Sequence, residues 1–286
     1  MANDLYRCNR MSMERTRLED ITTTSLLEEV FEIYENTAQC NDDLWATFTR
    51  LTDQVDYLKE HRDFIERNKL GFGDRAFQFM WMLLLKHVHA SEMPPNLLEI
   101  GVYKGQIISL WALLCARENL PLTIHGVSPL KGEQVVTNRW LIGLLRRVSR
   151  RFAEKWESAN FYPDEDYQKI IRALFGHFQL SFDVVRMSLG YSAERAIIEK
   201  VSEKRFAVIY VDGDHRYEGV VADIRNYSPM LCTGGFLVMD DASLDLPGTR
   251  FWKGHRSVAD ACKIIEPLGF KNVLNVGHNR VYQRLH

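Results

Sequence analysis

The sequence has no uninterrupted apolar run long enough to cross a bilayer. The longest, Phe79 to Leu85, stops at Lys86, far short of the ~20 residues a membrane helix needs. Asp4, Arg7 and Arg10 stand near the start with no apolar stretch behind them, so no secretory signal is expected and the expected location is cytoplasmic. An excess of one charge is missing too: 36 basic and 38 acidic side chains in 286 residues leave a formal net charge of −2. That argues against nucleic acid as a partner, because duplex binding rests on a cationic surface that neutralises phosphates. Cysteine is sparse. Cys8, Cys40, Cys115, Cys232 and Cys262 are odd in number and scattered, with no CxxC pair, which argues against a disulfide framework or a zinc knuckle. What is present, 46% apolar and 11% aromatic residues, is enough to build a core and does not fit disorder.

From Ser25 to His89 the apolar residues recur at helical spacing, in LLEEVFEIYE and again in FQFMWMLLLKHV, with Thr24 and Ser25 placed to cap the first helix. Met93-Pro94-Pro95 breaks this pattern, since proline stops helices and extends its predecessor. The expected division is a helical extension, residues 1–93, and a second domain, residues 94–286. Phe77, Met80, Trp81 and Leu84 in the extension suit core packing against a sheet, a lid or an oligomer interface.

After the prolines, short apolar runs alternate with amphipathic stretches: NLLEI, LTIHGV, FDVVRM, FAVIYVD and FLVMDD, with helices such as SLWALLCAR and VVADIRNYSPML between them. Strands alternating with helices predict an α/β fold with a doubly wound, Rossmann-like parallel sheet. Gly234-Gly235 and Gly269 are expected to make tight turns before the later strands. The closing FKNVLNV and GHNRVYQRL predict an antiparallel hairpin, for seven strands in all. Residues 131–178 exceed what a crossover needs and predict a helical insertion beside the ligand crevice. Its Arg146, Arg147, Arg150, Arg151 and Lys155 either meet an anionic substrate or headgroup or form a solvated face.

Two motifs carry chemistry. The first is Glu99-Ile100-Gly101-Val102-Tyr103-Lys104-Gly105 at the end of the first strand, where glycine permits close backbone approach and a following helix start favours an anion. Its ExGxxxG spacing differs from the dinucleotide GxGxxG, and the second strand ends Gly126-Val127-Ser128-Pro129 without the ribose-binding acid a nicotinamide site wants. The second motif is Tyr210-Val211-Asp212-Gly213-Asp214-His215-Arg216-Tyr217-Glu218, followed one helix later by Met239-Asp240-Asp241. Neighbouring parallel strands set their carboxyl ends side by side, so these acids converge where open α/β sheets bind ligands. Like charges this close call for a cation or proton. Asp212, Asp240 and Asp241 suit a hard, oxygen-seeking ion such as Mg²⁺, or else cap the helices that follow.

The stretch VDGDHRYEGVVADIRNYSPMLCTGGFLVMDD, with the ExGxxxG turn, resembles the class I S-adenosylmethionine-dependent methyltransferases, specifically the metal-dependent O-methyltransferases related to macrocin O-methyltransferase. The resemblance runs from about Leu97 to Leu285. It implies Asp212, Asp240 and Asp241 as ligands of Mg²⁺ or another divalent cation, and Asp214 as general base. It also implies a cofactor site built from Glu99, Gly101, Tyr103, Gly105, Ser128, Tyr191, Ser192 and Asp212. The chemistry asks for such a set, since a hydroxyl becomes a good nucleophile only on losing its proton to a base, helped by a bound cation. His215 either assists that base, binds substrate or shapes the loop.

The sequence departs from the family at two places. Ser128 stands where an acid usually holds the cofactor ribose, and Gly190-Tyr191-Ser192 stands for the usual Gly-Asp-Ser. A hydroxyl still offers a hydrogen bond and a tyrosine ring still covers adenine. Phe251-Trp252-Lys253-Gly254-His255-Arg256 reads as an aromatic and cationic loop near substrate or as packing; His278-Asn279-Arg280 reads as a turn. The expected activity is methyl transfer to a hydroxyl of a sugar or glycosylated metabolite by a homo-oligomer with no membrane segment. The alternatives are a catechol-type O-methyltransferase and a noncatalytic binding subunit.

Overall fold

The computed structural model describes residue 18 and residues 20–132, 139–149, 152 and 164–286. Cys8, Arg150, Arg151 and Lys155 lie outside the described residues.

Among the described residues, four bounded helices precede the sheet: α1 (Leu27–Ile33), α2 (Ala38–Gln54), α3 (Asp56–Asn68) and α4 (Ala76–Ala90). The start of α1 differs from the expected cap. Leu26 is the capping position and its amide is satisfied by Glu29 reaching back, 3.1 Å; Ser25 Oγ instead accepts from Thr22 N in the preceding turn. Polar side chains there close a local turn, which competes with capping. Helix α4 is buried on nearly every side, with Phe77, Met80, Trp81 and Leu84 fully enclosed. Trp81 packs edge-on against Trp111 at 5.0 Å and Tyr210 at 5.3 Å.

The strands β1 (Asn96–Ile100), β2 (Thr123–Ser128), β3 (Val185–Leu189), β4 (Phe206–Val211), β5 (Leu231–Met239), β6 (Phe270–Val276) and β7 (Asn279–Arg284) form one sheet in the order β3-β2-β1-β4-β5-β7-β6. The first five are parallel, and β7 runs antiparallel between β5 and β6. The crossovers carry α5 (Gln106–Arg117) after β1, α8 (Arg195–Ser202) after β3 and α9 (Tyr217–Tyr227) after β4. Between β2 and β3 lie α6 (Arg139–Val148) and α7 (Tyr167–His177), and α10 (Arg256–Cys262) precedes β6. Alternate residues face opposite sides of a strand, so the sheet divides the core. Val208 and Tyr210 join the cluster beneath α4 and α5, while Ile209 and Val211 join that of α8, α9 and α10.

Two strand expectations shift. Phe182–Val184 forms a 3₁₀ turn and β3 begins only at Val185. Gly234-Gly235 lies inside β5 rather than before it, where the register jumps from Phe206↔Leu231 to Val208↔Phe236. Gly234 has φ +78°, so the pair makes a bulge, a conformation that glycine adopts at little cost. Gly269 does end the turn before β6, at φ +91°.

Candidate active site

A cavity of about 470 Å³ opens over the carboxyl ends of β1, β2, β3 and β4, the crevice where open α/β sheets take ligands. Gly101, Tyr103, Ser128, Tyr191, Ser192 and Asp214 line it. Glu99, Gly105, Asp212 and His215 do not. Gly101 is at φ +100°, and a Cβ there would stand 1.9 Å from the Asp212 carbonyl oxygen. Glycine therefore brings the β1 and β4 loops together at the cavity wall. Gly105, at φ +85°, is the residue before α5 and has no side chain to cap it. Glu99 caps the helix in its place. The Glu99 carboxyl, only 2% exposed, accepts from the Ile108 backbone, one of the amides a helix start leaves without a partner.

Ser128 turns its hydroxyl inward. Its Oγ donates to the Val102 carbonyl at 2.7 Å and accepts from Leu130 N at 3.2 Å, so its one proton already ties the β1 loop to the β2 loop. Tyr191 stands at the rim, 58% exposed. Tyr103 stacks with Phe72 at 5.9 Å and tilts against Tyr167 at 5.6 Å, making an aromatic wall. Sequence reasoning missed Asp223, which lines the cavity from α9 while 1% exposed. Burial pushes its carboxyl up to about 7 against a hydrogen bond from Ser192, and Oδ2 has no partner among the described residues. A buried acceptor of this kind calls for a ligand donor, such as an exocyclic amine or a ribose hydroxyl. With the apolar walls, it fits an adenosine-containing cofactor.

The acidic centre lies beside the cavity. Val211 and Met239 are paired in register, so Asp212 and Asp240 leave adjacent strands together; Asp240 N donates to the Val211 carbonyl at 3.1 Å. Asp241 follows in the left-handed region at φ +53°, strain of the kind found at functional sites. Burial and the neighbouring Asp240 and Asp241 push the Asp212 carboxyl well up. Burial and Asp240 raise Asp241 to about 7. Burial would raise Asp240, but the neighbouring His278, Asp212 and His215 together hold it below the usual carboxylate range.

Three histidines complete this centre. His278 Nε2 lies 3.2 Å from Asp240 Oδ1. His215 Nε2 lies 3.3 Å from Asp241 Oδ2 and 3.8 Å from Asp212 Oδ1, and His255 Nε2 lies 3.6 Å from Asp241 Oδ2. His278 does occupy a turn, as expected, yet it is buried and aimed at the acids. The reason is topological: β7 pairs antiparallel with β5, Met239 opposite Arg280, so the β6–β7 turn returns to the end of the sheet that carries Asp240. A cluster of converging carboxylates and imidazoles is a donor set for a divalent cation. Asp214 stands apart. Both its oxygens accept from Arg216, at 2.5 to 3.0 Å, and Oδ1 also accepts from Arg216 N. Trp252, 55% exposed, stands over the centre beside His255 and His278.

Among the described residues no helix is long and apolar enough to cross a membrane. No curated protein matches the sequence. Solved structures share the fold. The O-methyltransferase NovP aligns at 18% identity over 72% of this chain and 78% of its own, TM-score 0.52. A candidate caffeoyl-CoA O-methyltransferase from Staphylococcus aureus aligns at 15% identity over 84% and 99%, TM-score 0.53. Residues 98–242, from β1 to just past the Asp240-Asp241 pair, match the methyltransferase-domain family. The chain belongs to that family of methyltransferases.

Proposed function

We propose that the protein transfers a methyl group from S-adenosylmethionine to a hydroxyl of a sugar or glycosylated metabolite, with Mg²⁺ or another divalent cation at the acidic centre. The observation that carries this reading is the division of one loop between two sites. Gly213 and Asp214 line the cavity, while Asp212 and His215 face Asp240 and Asp241. A cofactor in the cavity and an acceptor at the centre would meet across four consecutive residues.

Tyr103, Tyr191, Ser192 and Asp223 would hold the cofactor, with Gly101 and Ser128 fixing the loops around it and Glu99 and Gly105 setting the start of α5. Asp212, Asp240 and Asp241 would hold the cation. When bound, S-adenosylmethionine supplies an electrophilic methyl group and the cation lowers the proton affinity of the acceptor hydroxyl. Asp214 is the proposed base. Its carboxylate would exchange Arg216 for the acceptor hydroxyl and take the proton as the oxygen–methyl bond forms and the methyl–sulfur bond breaks, the cofactor leaving as its neutral thioether. The exposed Trp252 ring beside the centre suits stacking on a sugar face.

The test is an acceptor panel of nucleotide sugars, glycosylated metabolites and catechols, run with methyl-labelled S-adenosylmethionine in Mg²⁺ and in EDTA. Label in the sugar acceptors that disappears in EDTA supports the reading. Label confined to catechols replaces it with the catechol-type alternative. A folded protein that neither labels an acceptor nor binds cofactor is a noncatalytic subunit.

A further inference from the structure

The acids at the end of β4 and β5 are those an oxygen-seeking ion would use, but the donor set around Asp241 is not all oxygen. One ring nitrogen each of His215 and His255 and an Asp241 carboxylate oxygen lie within 4.8 Å of one another. The separations to Asp241 Oδ2 are 3.3 and 3.6 Å. Two donors sharing an ion at ~2.1 Å stand about 3.0 Å apart in octahedral and about 3.4 Å apart in tetrahedral coordination. Both separations to the carboxylate are therefore close to edges of a coordination polyhedron. Asp212 Oδ1 lies 3.8 Å from His215 Nε2 but stands outside this group of three.

The arrangement is built into the backbone. Gly254, at φ +89°, lies so close to Asp241 that a Cβ would stand 2.0 Å from its carbonyl oxygen. The Ala242↔Gly254 bridge and the bond from His255 N to the Asp241 carbonyl, 2.9 Å, fix the following residue beside the acid. The two imidazoles stack at 4.9 Å and 23°, and both Nε2 atoms lie within 3.6 Å of the same Asp241 oxygen. Imidazole favours the borderline ions, whereas Mg²⁺ takes carboxylate, carbonyl and water oxygen.

We infer that this centre takes a borderline divalent transition-metal ion, of the class Fe²⁺, Co²⁺, Ni²⁺ or Zn²⁺, in preference to Mg²⁺, with His215 and His255 as nitrogen ligands beside Asp241. This rests on the reading of the acidic centre as a cation site. It makes His255, from the loop after β5, a ligand and gives His215 the same role.

The experiment uses the full chain, stripped with chelator and dialysed against Co²⁺ in excess Mg²⁺, with bound metal counted and the visible spectrum recorded. Wild type, His215→Ala and His255→Ala are compared, their folding checked by circular dichroism. About one Co²⁺ per chain is expected to survive a ~10³-fold excess of Mg²⁺. Its d–d absorption should differ from that of the aqueous ion, and each histidine variant should weaken binding about tenfold or more. The wild-type spectrum reports nitrogen ligation even if a variant unfolds. Co²⁺ displaced by equimolar Mg²⁺, or a spectrum indifferent to both variants, overturns nitrogen ligation and leaves the cation site standing. Retention of neither ion by wild type overturns both.

Discussion

Asp214 is the residue on which the proposed chemistry turns, and its surroundings separate its role from that of the other acids. It faces the cavity and is bound by Arg216, away from the cluster of Asp212, Asp240 and Asp241. Asp214→Asn is expected to lower kcat by about 10²-fold or more while leaving the dissociation constant of S-adenosylmethionine nearly unchanged, as read by calorimetry and steady-state kinetics. Unchanged turnover would remove it from the mechanism. Glu99 makes the opposite prediction. Burial first, and Asp240 second, push its carboxyl from the ordinary 4.5 up to about 8, against a hydrogen bond from Ile108. Between these values the folded chain holds a proton that the unfolded chain releases, so stability falls as pH rises through that window. Glu99→Gln should melt close to wild type at pH 5 and above it at pH 8, in EDTA; an unchanged difference between the two pH values would show that Glu99 is ionised in the fold. That Glu99 was legible as a motif residue but not as a helix-capping group follows from its position: the motif gives spacing, whereas the Ile108 contact depends on how α5 sits on β1.

At the scale of elements, α2 controls a loop far away in sequence. Asp42 accepts from Thr249 N at 2.7 Å, Thr249 Oγ1 at 2.6 Å and Arg250 N at 3.0 Å, and Asn41 Nδ2 donates to the Pro247 carbonyl. These bonds anchor the segment that leads into Trp252 and His255. Asp42→Ala should cost about 2–3 kcal/mol of stability, since bonds to a charged acceptor are worth more than neutral ones. It should also raise KM for the acceptor more than KM for S-adenosylmethionine, measured in the same assay. Equal effects on both would place the loop outside acceptor binding. The alternating strands and helices were readable because each crossover has its own periodicity, and the terminal hairpin was readable from its turn. The position of β7 between β5 and β6 was not, and with it went His278, which a local reading leaves in a turn. The bulge at Gly234-Gly235 was missed for a related reason: paired glycines mark a turn or a bulge equally well, and only the β4 register decides between them.

On the scale of the whole molecule, the described part of the helical extension and the sheet share one apolar cluster, from Leu27 and Leu44 through Trp81 to Val208 and Phe236. The other face of the sheet has its own cluster, and both support the end of the sheet where the cavity and the acidic centre open. The family was legible in the sequence because the β4 and β5 ends are contiguous motifs. Asp223 was not, because it lies within a helix whose other residues read as packing, and only the cavity shows which way it faces. Titration of S-adenosylmethionine into the full chain by calorimetry, first in EDTA and then with a divalent cation, followed by methyl transfer to an acceptor that the panel identifies, tests the central claim most directly. Micromolar binding in both conditions, with transfer only when the cation is present, is the predicted result. Absence of cofactor binding by a folded protein in both conditions would contradict it.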